Sequence, residues 1–360
     1  MRGYFISQYS YRLIPVIGQR GHYEREDTMS HKLQLFQRFV KHVRVFSPWY
    51  ALIELLTVID RPISLKINKP FSHRLLALKE RYIMKWLRIT FANEIAAYQQ
   101  KTPASPSTKT SNSPIWICWL QGEQNAPTFV KQMIAHIKAN ANGHPVTFIS
   151  LKNYKDYCDI PDNIIRKYEK GLMPQQQFAD ILRSGLLSQK GGLWIDASVL
   201  VTDPIPEQVF QLPIYNVKNI KPNAIRDAVS CDATQWQAYF IASQPHSVTY
   251  SFIFDCFIAY WKRYNTLIDY FLFSYLAKAA REDIPGARAE YEQIPDNNPN
   301  CELLSDYLMS PIAATDKRSQ SILNSSNFIY KLTWKGIYPL LTQNSEPTLA
   351  AKILNEPSSD

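Results

Sequence analysis

The chain has 360 residues, 46% apolar and 20% charged, enough to bury one large core or a core with a substantial extension. Five cysteines, at 118, 158, 231, 256 and 301, include no CxxC pair; they read as buried thiols and exclude a disulfide framework or a zinc site. The formal net charge of +9 lies wholly in residues 1–100, where 16 Lys or Arg face 7 Asp or Glu; the remainder balances 24 against 24.

No leader is read at the N-terminus, because residues 4–17 mix Ser, Gln, Tyr and Arg and lack a clean apolar centre. No eighteen-residue apolar window exists, and the nearest, residues 43–59, contains Arg44, Pro48 and Glu54. Residues 31–60 predict an amphipathic helix broken at Ser47-Pro48, with Leu33, Phe36, Val40, Val43 and Phe46 as its stripe. A second basic helix is expected over 72–99, with Leu75, Leu78, Tyr82, Trp86 and Ile89 facing inward. Two readings stay open for this region: a helical lid on the main domain, or a positive face resting on an anionic membrane surface. A nucleic-acid partner is disfavoured, since no helix-turn-helix, ribonucleoprotein motif or zinc finger accompanies the charge.

Residues 101–113 have little to bury and read as a linker. The expected organisation is a basic helical extension and linker over 1–110, a catalytic domain over 111–345 and a tail over 346–360. Within the second part, residues 115–120 form an apolar run suited to an interior strand, and Asn125 is expected to cap a helix carrying Val130, Met133, Ile134 and Ile137. Residues 146–149 make the next strand. Pro161 and Pro174 open helices, and Gly191-Gly192 stops the second before a strand that ends at Asp196. Alternating strands and helices predict an α/β fold with an open, mostly parallel sheet and helices on both faces, which binds ligands beyond the strands' carboxyl ends. Residues 248–260 and 267–280 suit helices, 281–300 reads as an exposed loop, and 328–334 as a late strand.

The chemistry concentrates between Phe178 and Pro206. Asp180 and Arg183 stand three apart on one helix face, and the strand after the glycine pair delivers Asp196 to the sheet edge. An ion pair within the fold would account for the first two residues, and a solvent-facing strand end for the third; the three together around one turn favour a site. Carboxylates that hold a divalent cation suit a diphosphate leaving group. Oxygen ligands favour Mn²⁺ or Mg²⁺ over soft metals. Trp116 and Trp119, on the first strand of this domain, offer faces for a nucleobase or simply pack the core.

The D-x-x-R helix, the GG turn and the W-x-D strand, in this order, resemble bacterial capsular polysaccharide synthesis proteins. More widely, the segment is similar to glycosyltransferases of the initiating mannosyltransferase type and to clostridial glucosylating toxins. The resemblance implies a nucleotide-sugar transferase fold of the GT-A kind and transfer of a hexose from a nucleoside-diphosphate sugar, UDP-linked first, with retention. The acceptor it implies is a glycan or lipid-linked glycan intermediate of a surface polysaccharide, at the cytoplasmic face of a membrane. It places Asp180 and Arg183 against the donor sugar, Trp119 (with Trp116 beside it) on the base, and Asp196 on the metal. Ser198 stands where the family's metal-binding DxD element has its second acid. Lys331, Thr333 and Lys335 fall in the matching diphosphate loop, and Asp269-Tyr270 on the acceptor side. Two other readings remain: phosphoryl transfer or hydrolysis at a metal-carboxylate site, and a catalytically silent scaffold. Nucleotide-redox chemistry is disfavoured by the lack of a GxGxxG turn.

Overall fold

A computed structural model of the chain describes residues 24–67, 71–108, 110, 112–222, 231–232 and 234–355. The stretch 4–17 read for a leader lies outside the described residues. Two compact units divide the chain, residues 1–55 and 56–360.

In the first unit, helix α1 (Glu24–Val45) gives way to α2 (Pro48–Ile67), which begins there. The break falls at Ser47-Pro48, as the sequence predicts: the Ser47 hydroxyl accepts the Tyr50 N–H at 3.0 Å, and proline sits where its missing N–H costs nothing. The inward face differs from the expected stripe. Leu33 and Phe36 are 57% and 62% exposed, whereas His42, Tyr50 and Ile53 are buried. The Glu54 carboxylate, which pairs with Arg38 and His42, and the His42–Tyr50 ring stack turn a different side inward.

In the second unit, α3 (Phe71–Thr90) and α4 (Ala92–Tyr98) part at Phe91. Strand β1 (Ile115–Cys118) leads to α5 (Thr128–Ala139), β2 (Val146–Ile149), α6 (Asp162–Glu169), α7 (Gln175–Gln189) and β3 (Gly192–Asp196). β4 (Val199–Val201), α8 (Gln208–Gln211), β5 (Ile214–Asn216) and β6 (Phe240–Ser243) follow. Then come α9 (Val248–Arg263), α10 (Leu272–Asp283), α11 (Pro285–Glu292), α12 (Leu304–Leu308), α13 (Lys317–Leu323), β7 (Ile329–Lys331) and α14 (Leu349–Asn355).

The main sheet has the order β2-β1-β3-β6-β5. β1 pairs in parallel with β2 and β3, while β6 pairs antiparallel with β3 and β5. Four strands thus share one direction and β6 alone opposes them, so the expected α/β sheet flanked by helices is mixed on one side. β4 and β7 form a separate antiparallel pair. Leu200 and Tyr330 from this pair pack with Met133, Leu304 and Leu308 in a core that also buries Leu349 and Ala350, in the stretch expected as a tail.

Three details depart from the sequence reading. α5 starts at Thr128 behind Pro127; Asn125 ends a 3₁₀ turn and donates to the Gln121 carbonyl at 2.8 Å instead of capping. α3 turns Leu76, Ile83, Met84 and Leu87 inward and leaves Ile89 69% exposed, a face shifted by one residue. Its packing on α10 brings buried Lys79 within 2.8 Å of Asp269 and Arg88 onto Glu282 and Asp283, and these pairs fix the rotation. Residues 285–292, expected in a loop, form α11, because Pro285 takes the first helical position and Ala287 and Glu290 are buried.

The turn that aims β3 depends on glycine. Gly191 and Gly192 have φ of +68° and +91°, and a Cβ on Gly192 would collide with the Pro114 carbonyl oxygen beside β1. Gly192→Ala is therefore expected to cost about 2–4 kcal/mol, combining left-handed strain with a backbone clash. Urea unfolding measures it; a loss under about 0.5 kcal/mol, the ordinary range for a harmless substitution, would show that the turn yields freely.

Candidate functional site

β3 runs through the middle of the sheet on apolar residues and releases its chain at Asp196, whose side chain is 27% exposed. The first turn beyond the strand brings Ser198, and β4 then pairs with β7 so that Val199 faces Lys331 in register. This pairing carries Lys331 back to the strand end. Its ammonium lies 2.8 Å from Asp196 Oδ2 and 2.9 Å from Ser198 Oγ. Asp196 Oδ1 accepts the Trp194 indole N–H at 3.0 Å and lies 3.6 Å from Arg183 Nη2.

Arg183 comes from α7, which packs on β3 and β6. Its guanidinium lies 3.2 Å from Asp180 Oδ1, donates to the Ala238 carbonyl, and sits over the Trp194 and Phe273 rings at 5.0 and 5.4 Å. Gln177 donates to the other Asp180 oxygen at 2.9 Å. Asp180 and Arg183 are only 3% and 7% exposed, so they form the floor beneath Asp196.

These surroundings separate the two carboxyls. Burial pushes Asp180 up to about 7, against the pull of Arg183 and with a push from Asp196. Burial would raise Asp196 too, but Lys331 and Arg183, with hydrogen bonds from Lys331 and Trp194, outweigh it and hold that carboxyl at about 2. The same cluster thus lowers one carboxyl and raises the other.

The other predicted residues divide. Trp119 is half-buried and meets Trp334 edge to face at 5.7 Å, and Lys335 lies 5.4 Å over the Trp334 ring. Thr333 follows two residues after Lys331, its N–H bonded to the Tyr338 hydroxyl at 3.2 Å. Trp116 lies elsewhere: it is 3% exposed, donates to the Gly191 carbonyl at 2.8 Å and packs on Tyr157. Asp269 is 2% exposed, paired with Lys79 and accepting the Phe271 N–H at 2.8 Å, while half-buried Tyr270 stands edge-on to Phe271. Sequence reasoning gave no site role to Phe273, Tyr239 or Trp334, and took Trp194 only as the first residue of the W-x-D strand. Only Trp194, two residues before Asp196 and on the same strand face, carried a local signal.

The expected divalent ion can be set against these donors. Among the described residues no group of three or more His, Cys, Asp or Glu could hold a metal ion. Asp196 Oδ2 and Ser198 Oγ converge on one point, and the Lys331 ammonium holds it. Mg²⁺ takes about six oxygen ligands, usually one or two carboxylates with substrate phosphates and several waters. One hydroxyl and one carboxylate already flanked by two cations fit such an ion poorly.

The family described as capsular polysaccharide synthesis protein matches residues 64–348, and the chain belongs to it. No curated protein matches the chain. Among solved structures, the apo-form glycosyltransferase GlyE of Streptococcus pneumoniae is similar at 11% identity and a TM-score of 0.38, over 69% of this chain and 61% of that one. The PaToxG glycosyltransferase is similar at 17% identity and a TM-score of 0.34, over 61% of this chain and 90% of that one. This chain therefore spans about three fifths of the GlyE structure's length, and likenesses of this size carry no argument about chemistry.

Proposed function

From this membership we propose that the protein is a glycosyltransferase, moving a hexose from a nucleoside-diphosphate donor, UDP-linked first, to a hydroxyl of a surface or capsular polysaccharide intermediate, with retention. The observation that carries the reading is the arrangement at the end of β3, where an ionised Asp196 on a central strand is held between Lys331 and Arg183. A fixed field of this kind, at the sheet edge where α/β folds bind ligands, suits a leaving group that gains negative charge.

In the proposed step the acceptor hydroxyl oxygen forms a bond to the anomeric carbon as the bond from that carbon to the diphosphate oxygen breaks. The bonding pair departs with the diphosphate, and the hydroxyl proton passes to the leaving oxygen on the same face. Lys331 contacts the diphosphate, with Thr333 and Lys335 on the same segment. Trp119 and Trp334 offer ring faces for the base. Asp180 accepts a hydroxyl of the donor sugar, and Tyr270 serves the acceptor side. The resemblance also implies Mn²⁺ or Mg²⁺ at Asp196 and Ser198, but those donors fit such an ion poorly, and no part of the step is assigned to it.

Among the described residues no helix is long and apolar enough to cross a membrane. Exposed Leu33, Phe36 and Trp49 near exposed Lys41 and Arg44 support a peripheral contact with an anionic surface for the N-terminal helices. A lipid-linked acceptor at the cytoplasmic face suits that reading.

The test is a donor screen with purified protein, reading both the glycosylated product and the nucleoside diphosphate released. Release of inorganic phosphate without sugar transfer would point to phosphoryl chemistry, and failure to bind any nucleotide sugar to a scaffold. The pH profile adds a second readout. A carboxyl raised to about 7 loses its proton only as pH climbs through that value, and the carboxylate is the form that accepts the sugar hydroxyl. Turnover is expected to rise through about pH 7, and Asp180→Asn to flatten that limb. An acid limb that persists unchanged in the variant would assign it to another group.

A further inference from the structure

We infer that Lys331 supplies the cation that faces the departing diphosphate, and that the protein transfers sugar without a divalent metal ion. The inference rests on the glycosyltransferase reading and replaces its metal.

Position comes first. Asp196 Oδ2 and Ser198 Oγ aim at one point, and the Lys331 nitrogen fills it at hydrogen-bond distance from both. An ammonium has three donors. Among the described residues two are spent on Asp196 and Ser198, which leaves the third for a phosphate oxygen at a nitrogen whose side chain is 27% exposed.

Charge comes second. A divalent ion is held by one or two carboxylates together with substrate phosphates and waters, whereas the carboxylate at this point is already matched by an ammonium. Among the described residues Asp196 is the acid paired with Lys331; residue 198 is a neutral serine, and Asp180 is turned into its pair with Arg183 beneath. A divalent ion added to this set would lie beside Lys331 and Arg183, two like charges with one carboxylate between them.

Anchorage comes third. Lys331 ends β7, and its N–H bonds to the Cys301 carbonyl at 2.7 Å. The next residue, Leu332, donates to the Ser198 carbonyl at 3.1 Å. The ammonium also lies 5.3 Å from the centre of the Tyr239 ring, whose hydroxyl is tied to Glu302 at 3.0 Å. The backbone that carries the lysine is therefore bonded to the backbone that carries Asp196 and Ser198, so cation and anion are positioned by one strand pair. This preorganisation is what stabilises developing charge without reorganisation during the reaction. Through the step Lys331 neither gives nor takes a proton, and the electron pair of the broken bond stays on the diphosphate oxygen beside it.

Metal-stripped full-length protein gives the test, assayed for nucleoside-diphosphate release with and without EDTA and then with added Mn²⁺. Turnover is expected to change by less than about twofold in either condition, and Lys331→Ala to lower kcat/KM by roughly 10²–10³-fold, the size of losing one preorganised charge-stabilising donor. Mn²⁺ binding, followed by electron paramagnetic resonance, keeps the question open to measurement whatever the turnover. The wild type is expected to bind no Mn²⁺ at this site, whereas the double variant Ser198→Asp/Lys331→Ala, with a second acid and a vacated point, is expected to gain it. Activity abolished by EDTA and restored by Mn²⁺, or Mn²⁺ bound in the wild type and lost in Asp196→Asn, would overturn the inference and leave the glycosyltransferase reading standing. No turnover of any donor in any condition would remove that reading and this inference with it.

Discussion

Asp196→Asn is expected to lower sugar transfer by roughly 10³-fold while the protein stays folded. The side chain keeps its volume and its acceptor for the Trp194 N–H, so the strand end has no steric reason to move. What disappears is the single negative charge between Lys331 and Arg183. Without it the ammonium has no anion to hold it at the sheet edge, and two cations face each other across a neutral amide. A carboxyl kept at about 2 in the fold, against 3.8 for the ordinary group, contributes about 2 kcal/mol of stability. The sign follows from the depressed value: the contribution is complete above pH 3.8 and is lost as pH falls through about 2. The variant should therefore unfold at lower urea by about that amount at pH 7, and its stability should depend less on pH in the acid range. Circular dichroism and urea titration separate this modest loss from the much larger loss of kcat/KM. Unchanged turnover in the folded variant would remove Asp196 from the chemistry.

How much of this site the sequence revealed depends on how far apart its parts lie along the chain. Asp180, Arg183 and Asp196 fall within one helix-turn-strand unit, and the glycine pair, the apolar run and the acid at its end mark that unit with local signals. The glycine pair ends the helix where expected, and it does so with positive φ at both positions. Lys331 is different. It meets Asp196 across 135 residues; β7 falls within the late strand expected over 328–334, but its partner β4, three buried residues long, is too short for alternation to declare it. Sequence placed it near a phosphate but gave no sign that it would occupy the point between Asp196 and Ser198. β5 and β6 were equally hidden, being buried throughout and without a polar alternation to read. On α3 the period was correct but the face was off by one residue, because the buried Lys79–Asp269 pair, which hydropathy disfavours, chose the rotation. The helix starting at Pro285 was concealed by a composition of Pro, Gly and acids that reads as loop until Glu290 is seen accepting from Val248, Thr249 and Ala104.

Arg183→Lys is the second substitution with a large expected effect, roughly 10²-fold on kcat, with the donor KM changed by less than about threefold. The guanidinium is engaged by both carboxyls of the site, so its influence reaches the substrate through Asp180 and Asp196, and it is a positioning residue. Its plane lies over Trp194 and Phe273 while its edge serves Asp180, Asp196 and the Ala238 carbonyl together. A lysine keeps the charge but offers no planar fork to stack and to span three acceptors. Arg183→Ala is the blunter change: it strands the buried Asp180 carboxyl and is expected to cost about 3–5 kcal/mol, enough to confuse lost folding with lost chemistry. The lysine variant avoids this and carries a signature that a purely structural role lacks. Arg183 pulls Asp180 downward against burial, so a weaker, less aligned cation lets that carboxyl rise further. The acid limb of the pH profile should then move upward from about 7, together with the fall in kcat. A variant that loses stability but keeps both kcat and the position of that limb would show that Arg183 packs the floor and does nothing for Asp196.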